Sequence, residues 1–210
     1  MFDRGGAIVE IISLAPGGFA ANTYLVCEGE DAVLIDCSAS VSAVREALGS
    51  KTLHAVLLTH GHFDHMLTAD ALREAFHVPL YLHEGDADYP ADGEKNAYAI
   101  FFGMDRAYGA PSHTLHHGDT LTFGALTLSV SHVPGHTRGC VTYRAGDALF
   151  TGDTLFAAGV GRTDLYGGDT DKLLRSLQAL QALPRSLRIY PGHGEDATLG
   201  AALDRLSFYM

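Results

Sequence analysis

The chain has 210 residues, of which 47 % are hydrophobic and 19 % are charged, an ordinary composition for a folded domain. The formal net charge of −11 argues against nucleic acid as a partner, because phosphate binding needs clustered Lys and Arg. No apolar run reaches the ~20 residues of a membrane helix, and the N-terminal segment lacks a secretory layout. We therefore expect a cytoplasmic protein with no membrane partner, folded as one domain over residues 1–210.

The first half of the chain alternates β-type runs with helical spacing. In chain order we predict a strand over 7–14, a hairpin of 22–27 and 32–36, a helix over 40–48, a strand over 53–59, a helix over 67–76 and a strand over 79–82. Helix 40–48 has Val41, Val44 and Leu48 at helical spacing, and Ser40 can cap its start. The region around 83–115 has weak periodicity, which predicts a variable insertion with one helix over 96–104.

The second half shows a similar alternation. It predicts strands over 120–123, 126–130, 140–144 and 148–151, a helix over 171–183, a strand over 187–190 and a helix over 198–206. Helix 171–183 carries leucines at helical spacing on one side, as expected for an element that covers a sheet. Two β-rich halves, each covered by helices, indicate a layered α/β fold.

A run of metal-ligand residue types follows the predicted strand 53–59 directly. His60 and His62 are two residues apart, so at an extended strand end they point to the same side. Asp64 and His65 follow where the chain bends into a helix, and they can aim at a second point nearby. One loop can therefore offer ligands to two metal ions. Imidazole and carboxylate ligands suit Zn, Fe and Mn, and the absence of thiolate argues against a structural zinc site.

Three further candidates lie downstream: His136, Asp153 and His193 each follow a β-type run and have a glycine immediately before them. Glycine lets the backbone approach a crowded site closely. A single His or Asp after Gly is more often a turn residue, but the coincidence of all three with the run 60–65 favours ligands. The remaining histidines are predicted to be non-ligands: His54, His77, His83, His113, His116, His117 and His132.

These motifs resemble the metallo-β-lactamase superfamily, over 59–65, 134–139, 151–156 and 191–194 in that order. The resemblance implies a four-layer αββα sandwich with two divalent metal ions at one edge between the sheets. Zn is the first expectation for both ions, with Fe or Mn as alternatives. The implied ligands are His60, His62 and His136 for the first ion, Asp64, His65 and His193 for the second, and Asp153 as the bridge.

Within the superfamily the chain is most similar to the short bacterial branch of glyoxalase II-type hydrolases, through Gly161-Arg162-Thr163-Asp164 and Pro191-Gly192-His193-Gly194. This likeness implies hydrolysis of a small thioester, S-lactoylglutathione or a related one. Asp64 is the implied catalytic residue, a metal ligand that also orients the nucleophile. The sequence has 17 residues after His193, where other glyoxalase II enzymes carry a helical region that helps to bind glutathione.

Two alternatives stay open. Persulfide dioxygenases share Gly161-Arg162-Thr163-Asp164 and use one iron held by two histidines and an aspartate, which makes them oxidoreductases. A metal hydrolase of another ester or of a lactam is the second alternative. In either case we predict that Arg162 and Asp164 form a structural ion pair beside the site. The sequence leaves the native metal and the oligomeric state open.

Overall fold

The computed structural model describes residues 9–15 and 17–206, and the first of its two sheets is built by the N-terminal half. This sheet contains β1 (Glu10–Leu14), β2 (Thr23–Glu28), β3 (Asp31–Ile35), β4 (Thr52–Leu57), β5 (Leu80–His83) and β6 (His113–Leu115). The strands lie side by side in chain order. Neighbours from β1 to β3 are antiparallel, and those from β3 to β6 are parallel.

The second sheet is built by the C-terminal half. It contains β7 (Thr120–Phe123), β8 (Leu126–His132), β9 (Val141–Ala145), β10 (Ala148–Gly152), β11 (Arg188–Pro191) and β12 (Ala197–Thr198). The strands again lie in chain order across the sheet. Only β10 and β11 are parallel among these pairs, and the chain between them contains the crossover helix α4 (Thr170–Gln181).

Helices cover the outer face of each sheet. Helices α1 (Val41–Leu48) and α2 (Ala69–Phe76) pack on the first sheet, and α4 and α5 (Leu199–Leu206) pack on the second. The start of α1 is capped by Ser40, whose hydroxyl accepts a hydrogen bond from the Ala43 N–H. Asp169 caps α4 in the same way through the Lys172 N–H. A short helix, α3 (Tyr98–Phe102), lies in the chain between β5 and β6.

The core between the sheets follows from alternation along the strands. In β2, Tyr24 and Val26 face the second sheet, whereas Leu25 and Cys27 face the helices. Tyr143 and Phe150 from the second sheet are fully buried in the same inter-sheet layer. Each such side chain contributes about 2–3 kcal/mol by leaving water. The apolar alternation therefore fixes which face of each sheet meets the other.

The predicted four-layer αββα class is confirmed by this arrangement. The predicted helix over 96–104 is present but shorter, at Tyr98–Phe102. Strands β6 and β12 were missed because three and two residues are too short to show alternation. Residues 7 and 8 of the first predicted strand lie outside the described residues. The single-domain assignment stays a prediction, and none of the described helices is long and apolar enough to cross a membrane.

Topology brings four loops to one edge of the sandwich. Strands β3 and β4 are parallel, as are β10 and β11, so the carboxyl ends of each pair point the same way. The loops after β4, β10 and β11 then meet the connection between β8 and β9. These are the segments that carry the predicted ligands.

Candidate metal centre

The loop after β4 folds sharply at the edge between the sheets. His62 is extended, with φ −77° and ψ 148°, and a single 3-10 turn over Phe63–His65 follows it. This turn reverses the direction of Asp64 and His65 relative to the strand end. His60, His62 and His65 are all buried, although imidazoles more often lie near water.

The seven predicted ligands are brought together. Potential donor atoms form three groups, and within each group they lie within 4.8 Å of one another. The groups are His60, His62 and His136; His60, His65 and Asp153; and Asp64, His65 and His193. Among the described residues no such group includes any of the seven histidines that the sequence excluded.

Asp153 lies between the two outer groups. Its Oδ1 is 3.2 Å from His65 Nε2, and its Oδ2 is 3.7 Å from both His136 Nε2 and His193 Nε2. Asp64 Oδ2 lies 3.1 Å from His193 Nε2. A carboxylate in this central position can reach an ion on either side.

Several buried atoms of the cluster that could bind a metal ion have no hydrogen-bond partner in the protein. These are the Nε2 atoms of His60, His62 and His65 and the Oδ1 of Asp153; the last two atoms lie 3.2 Å apart but without hydrogen-bond geometry. Burying a polar atom without a partner is costly, and such atoms are rare in folded proteins. His62 Nδ1 also faces His136 Nε2 at 2.9 Å. Divalent cations would satisfy these convergent lone pairs, so the residues present fit the metal ions that the superfamily binds.

The electrostatics differ across the cluster. Burial acts to lower the pKa of His65, but Asp36 and Asp153 outweigh it and raise the pKa. The hydrogen bond with Asp64 raises the pKa of His193. Burial lowers the pKa of His60 well below its usual value and that of His62 to about 3, so both rings are neutral. Burial acts to raise the pKa of Asp64, but His65 and the hydrogen bond with His193 outweigh it and lower the pKa. Asp64 is therefore an ionised carboxylate near pH 7.

Asp36, which the sequence analysis did not single out, orients His65. Its Oδ2 lies 2.7 Å from His65 Nδ1, and its side chain also accepts hydrogen bonds from the Thr59 N–H and hydroxyl. A proton on Nδ1 leaves His65 Nε2 free to face the site. Asp36 directly follows β3 with a φ of 55°, a strained conformation for this residue type. The sequence signal that could have identified Asp36 is its position at the end of a predicted strand.

Asp86, also missed, joins two ligand loops. It accepts hydrogen bonds from Gly61 N–H at 3.0 Å, Gly139 N–H at 2.7 Å and the Thr137 hydroxyl at 2.6 Å. Gly61 separates His60 from His62, and Thr137 follows His136. Burial raises the pKa of Asp86 to about 6, although these hydrogen bonds oppose the rise. Its segment has no clear periodicity, so no sequence pattern could have singled it out.

The glycine before His193 is required by close packing. A Cβ on Gly192 would lie 2.2 Å from Asp153 Oδ1 and 2.4 Å from His65 Cε1. Gly161 has a similar constraint, because a Cβ there would lie 2.0 Å from the carbonyl oxygen of Asp153. Only glycine lets these loops approach the donor cluster so closely.

Arg162 and Asp164 form the predicted ion pair. Arg162 Nε donates to Asp164 Oδ1 at 2.6 Å, and Nη2 donates to Oδ2 at 2.7 Å. The backbone carbonyl of Arg162 lies 2.7 Å from His136 Nδ1 and orients that ring. This segment therefore supports a candidate ligand through its backbone, while its charged side chains pair with each other.

A small cleft opens from the donor cluster to solvent. It is lined by Phe19, His62, Phe63, Asp64, Ala97, Phe101, His136, Asp153, Arg162 and Leu165. These described lining residues include no Ser, Cys, Lys or Tyr. The cleft thus offers no hydroxyl, thiol or amine side chain as a nucleophile.

Comparison with known proteins finds relatives and solved structures that are similar over most of the chain. The chain is 32 % identical over 197 residues to a probable metallo-hydrolase of Bacillus subtilis, YqgX, which covers 91 % of this chain and 93 % of the relative. The crystal structure of BLEG-1 B3 metallo-beta-lactamase matches with a TM-score of 0.86 and 35 % identity, over 96 % of this chain and 99 % of that one. TTHA1623 in a di-iron-bound form matches with a TM-score of 0.78 and 37 % identity, over 92 % and 96 %.

The profile of the metallo-beta-lactamase superfamily matches residues 16–193, a range that includes all seven candidate ligands. On this match, and on the identity to its relatives, the chain belongs to the metallo-β-lactamase superfamily, whose members bind divalent metals.

Proposed function

We propose that the chain is a dinuclear-metal hydrolase of glyoxalase II type that cleaves a small thioester. His60, His62 and His136 would hold one divalent ion, Asp64, His65 and His193 would hold the second, and Asp153 would bridge them. Zn is the first candidate for both ions. Fe is supported by the di-iron-bound form of TTHA1623, and Mn suits the same ligands.

The observation that carries this proposal is the pairing of two donor groups around one carboxylate. The outer groups each supply three donor residues, and Asp153 reaches His65 in one group and His136 in the other. Four buried donor atoms without partners lie in the same space. A structural site with one ion would leave part of this set without a role.

Bound ions of this kind acidify water and polarise a carbonyl. The residues that line the cleft agree with this chemistry, because none is a Ser, Cys, Lys or Tyr and the aspartates and histidines there are proposed metal ligands, which favours water as the attacking group. Asp64 lines the cleft as an ionised carboxylate and can accept a hydrogen bond from that water, which orients its lone pair toward the substrate.

The lining also favours a thiol as the leaving group. No described lining residue is a Lys or Tyr that could donate a proton to a strongly basic leaving group. A thiol has a parent pKa of about 8.5, so a thiolate can depart without a strong general acid. An alkoxide or an amide nitrogen would need protonation, which makes the thioester the favoured substrate class.

The proposal is tested by turnover and metal content together. Protein purified without chelator is loaded separately with Zn, Fe or Mn and assayed on a panel of thioesters that includes S-lactoylglutathione. We expect about two metal equivalents, and His62→Ala should lower kcat/KM by at least about a thousandfold. Turnover that His62→Ala leaves unchanged would contradict the dinuclear-hydrolase assignment.

A matched control is His77→Asn. His77 is exposed at the end of α2 with φ 55° and ψ 43°, a left-handed conformation that Asn tolerates well. This variant removes a histidine without removing a proposed ligand. It should keep the metal content and turnover of the unaltered chain.

Lactam hydrolysis is a second candidate, supported by the 35 % identity to the B3 metallo-beta-lactamase. A chromogenic cephalosporin added to the panel separates it from thioester hydrolysis. Lactam turnover above that of every thioester would reverse the ranking.

The persulfide dioxygenase alternative needs one iron held by two histidines and an aspartate. His60, His65 and Asp153 form a group of that composition. Oxygen uptake with glutathione persulfide on iron-loaded protein is the decisive measurement. One iron equivalent with oxygen uptake and no thioesterase activity would favour this oxidoreductase.

A further inference from the structure

The mouth of the cleft carries an unusual concentration of exposed aromatic rings. Phe19 is 63 % exposed, and Phe101 and Phe102 in α3 are each 43 % exposed. We call these three residues, together with the buried Phe63, the aromatic rim. Large apolar side chains exposed in a cluster usually mark a binding surface, because isolated exposure is ordinary but clustering is not.

The aromatic rim is continuous with the metal centre. The Phe19 ring lies 6.2 Å from the Phe101 ring and 6.1 Å from the Phe102 ring, measured between centroids. Phe63 lies 5.6 Å from Phe101, and it is the residue between His62 and Asp64. An apolar group bound on the rim would therefore lie beside the candidate metal ligands.

The apolar surface extends along the outside of α3. Ile100 is 57 % exposed, and Met104, just beyond the helix, is 61 % exposed. Leu165 and Ala97 add apolar surface inside the cleft. The rim and these side chains could cover one face of an aromatic ring or a short alkyl chain.

Charge argues against a strongly anionic substrate. Arg162 is the permanent cation among the described cleft-lining residues, and its guanidinium already donates to both carboxylate oxygens of Asp164. Asp64 and Asp153 line the same cleft, but the proposed metal ions would offset their charge. The two carboxylates of a glutathione moiety would therefore find no unpaired cationic side chain among these lining residues.

We propose that the substrate is a thioester with an apolar substituent next to the scissile group, and that the aromatic rim binds this substituent. The inference rests on the proposed hydrolase function and narrows its substrate class. The rim selects the substrate because the apolar substituent leaves water as it packs on the rings. The same chemistry can lie on the acyl side or on the thiol side of the thioester.

Two substrate series distinguish these sides. One lengthens the acyl group of N-acetylcysteamine thioesters from acetyl to octanoyl, and the other lengthens the thiol of acetyl thioesters over the same range. In one series kcat/KM should rise by about twofold per added methylene, because one side of the alkyl substituent stays in water. S-lactoylglutathione should be a poorer substrate than the longest member of that series.

Phe101→Ala should remove the dependence of kcat/KM on chain length. Phe102→Ala is the second variant, used if α3 does not tolerate Phe101→Ala, and it should have the same effect. The matched control is Leu174→Ala, which removes an exposed apolar side chain of α4 that does not line the cleft. Leu174→Ala should keep the full dependence on chain length. Equal slopes in the unaltered chain, Phe101→Ala and Leu174→Ala would overturn the assignment of the rim.

A binding measurement separates this inference from the proposed function. Isothermal titration with S-alkyl thioethers, which cannot be hydrolysed, should show the same dependence on chain length. Length-dependent binding without thioester turnover would leave the rim in place and refute the hydrolase. An affinity that does not change with alkyl length would overturn the inference, whatever the turnover. If dimerisation or binding to lipid vesicles were then lost in Phe101→Ala, the rim would be assigned to that other partner.

Discussion

Two groups of histidines lie near the same end of the molecule, and they differ in how their ring nitrogens are used. The metal-site histidines are His60, His62, His65, His136 and His193. The surface histidines are His116, His117 and His132, and the buried His83, which stacks on His132, is grouped with them. Three of the five metal-site rings have a buried Nε2 without a partner, and the donor atoms converge.

The surface histidines instead have local partners. His83 and His132 stack at 4.1 Å with an angle of 10° between their planes. His132 Nε2 lies 2.8 Å from the Arg138 carbonyl, and His117 Nδ1 accepts from the His132 N–H. His116 is 3.3 Å from Glu84 and mostly in water. Abundance of histidine therefore does not make a metal site, whereas convergence of unpaired donors does.

The largest expected effect concerns metal-dependent stability. Metal at a thousandfold above its Kd stabilises the folded chain by about 4 kcal/mol. His60→Ala should reduce the metal content below two equivalents and remove most of that gain, because His60 belongs to two of the three donor groups. His116→Ala should change neither quantity. Urea unfolding of both variants, with and without a chelator, measures the part of the stability that depends on metal. An equal loss of this part in His60→Ala and His116→Ala would contradict the prediction.

The next effect is on the support of the ligand loops. Asp86→Ala leaves the N–H groups of Gly61 and Gly139 and the Thr137 hydroxyl without their buried acceptor. The free energy of unfolding should fall by about 3 kcal/mol. Asp88→Ala, which breaks exposed ion pairs two residues along, should cost about 1 kcal/mol or less. Similar losses in the two variants, measured by urea unfolding, would remove Asp86 as a support.

A smaller effect is expected from a pair of glycines. Gly192→Ala places a methyl against Asp153 and His65 and should weaken metal affinity by roughly 10- to 100-fold. Gly194 has a φ of +79° and open space around its Cβ position, so Gly194→Ala should cost about 1 kcal/mol of stability without affecting the metal. Competition with a metallochromic chelator measures the affinities. If Gly192→Ala and Gly194→Ala bound the metal with equal affinity, backbone strain and not close packing would explain the effect of both changes.

The smallest effect is a pH dependence in the surface group. Burial, and then the neighbouring His132, lower the pKa of His83 from 6.5 to about 4. A histidine with a lowered pKa favours folding while it is neutral, so this part of the stability is lost as the pH falls from 6.5 to 4. His83→Asn keeps an acceptor for the Gly85 N–H and should show a shallower loss of stability over that window. Parallel pH curves for the two chains, from urea midpoints, would contradict this.

Local patterning predicted most of the regular structure. Strands over 120–123 and 126–130 appear at Thr120–Phe123 and Leu126–His132, because alternation is strong where one face is buried. Helix 171–183 appears at Thr170–Gln181, with Asp169 as its cap. β6 and β12 were missed because they are defined by pairing with a neighbouring strand.

The candidate site was predictable for a different reason. His60, His62, Asp64 and His65 form a dense local pattern, and His136, Asp153 and His193 each follow a strand and a glycine. Asp36 and Asp86 were not predictable in this way. Each acts through partners more than 20 residues away, and a single aspartate in the sequence carries no trace of those contacts.

The sequence by itself determined the fold class, the set of candidate ligands and the Arg162–Asp164 pair, because each depends on local periodicity or on residue types at short spacing. The tertiary structure alone decided that Asp36 and Asp86 support the ligand loops and that the aromatic rim borders the donor groups. Phe19 precedes β2 and Phe101 lies in α3, so only the packing of distant loops could bring their rings together.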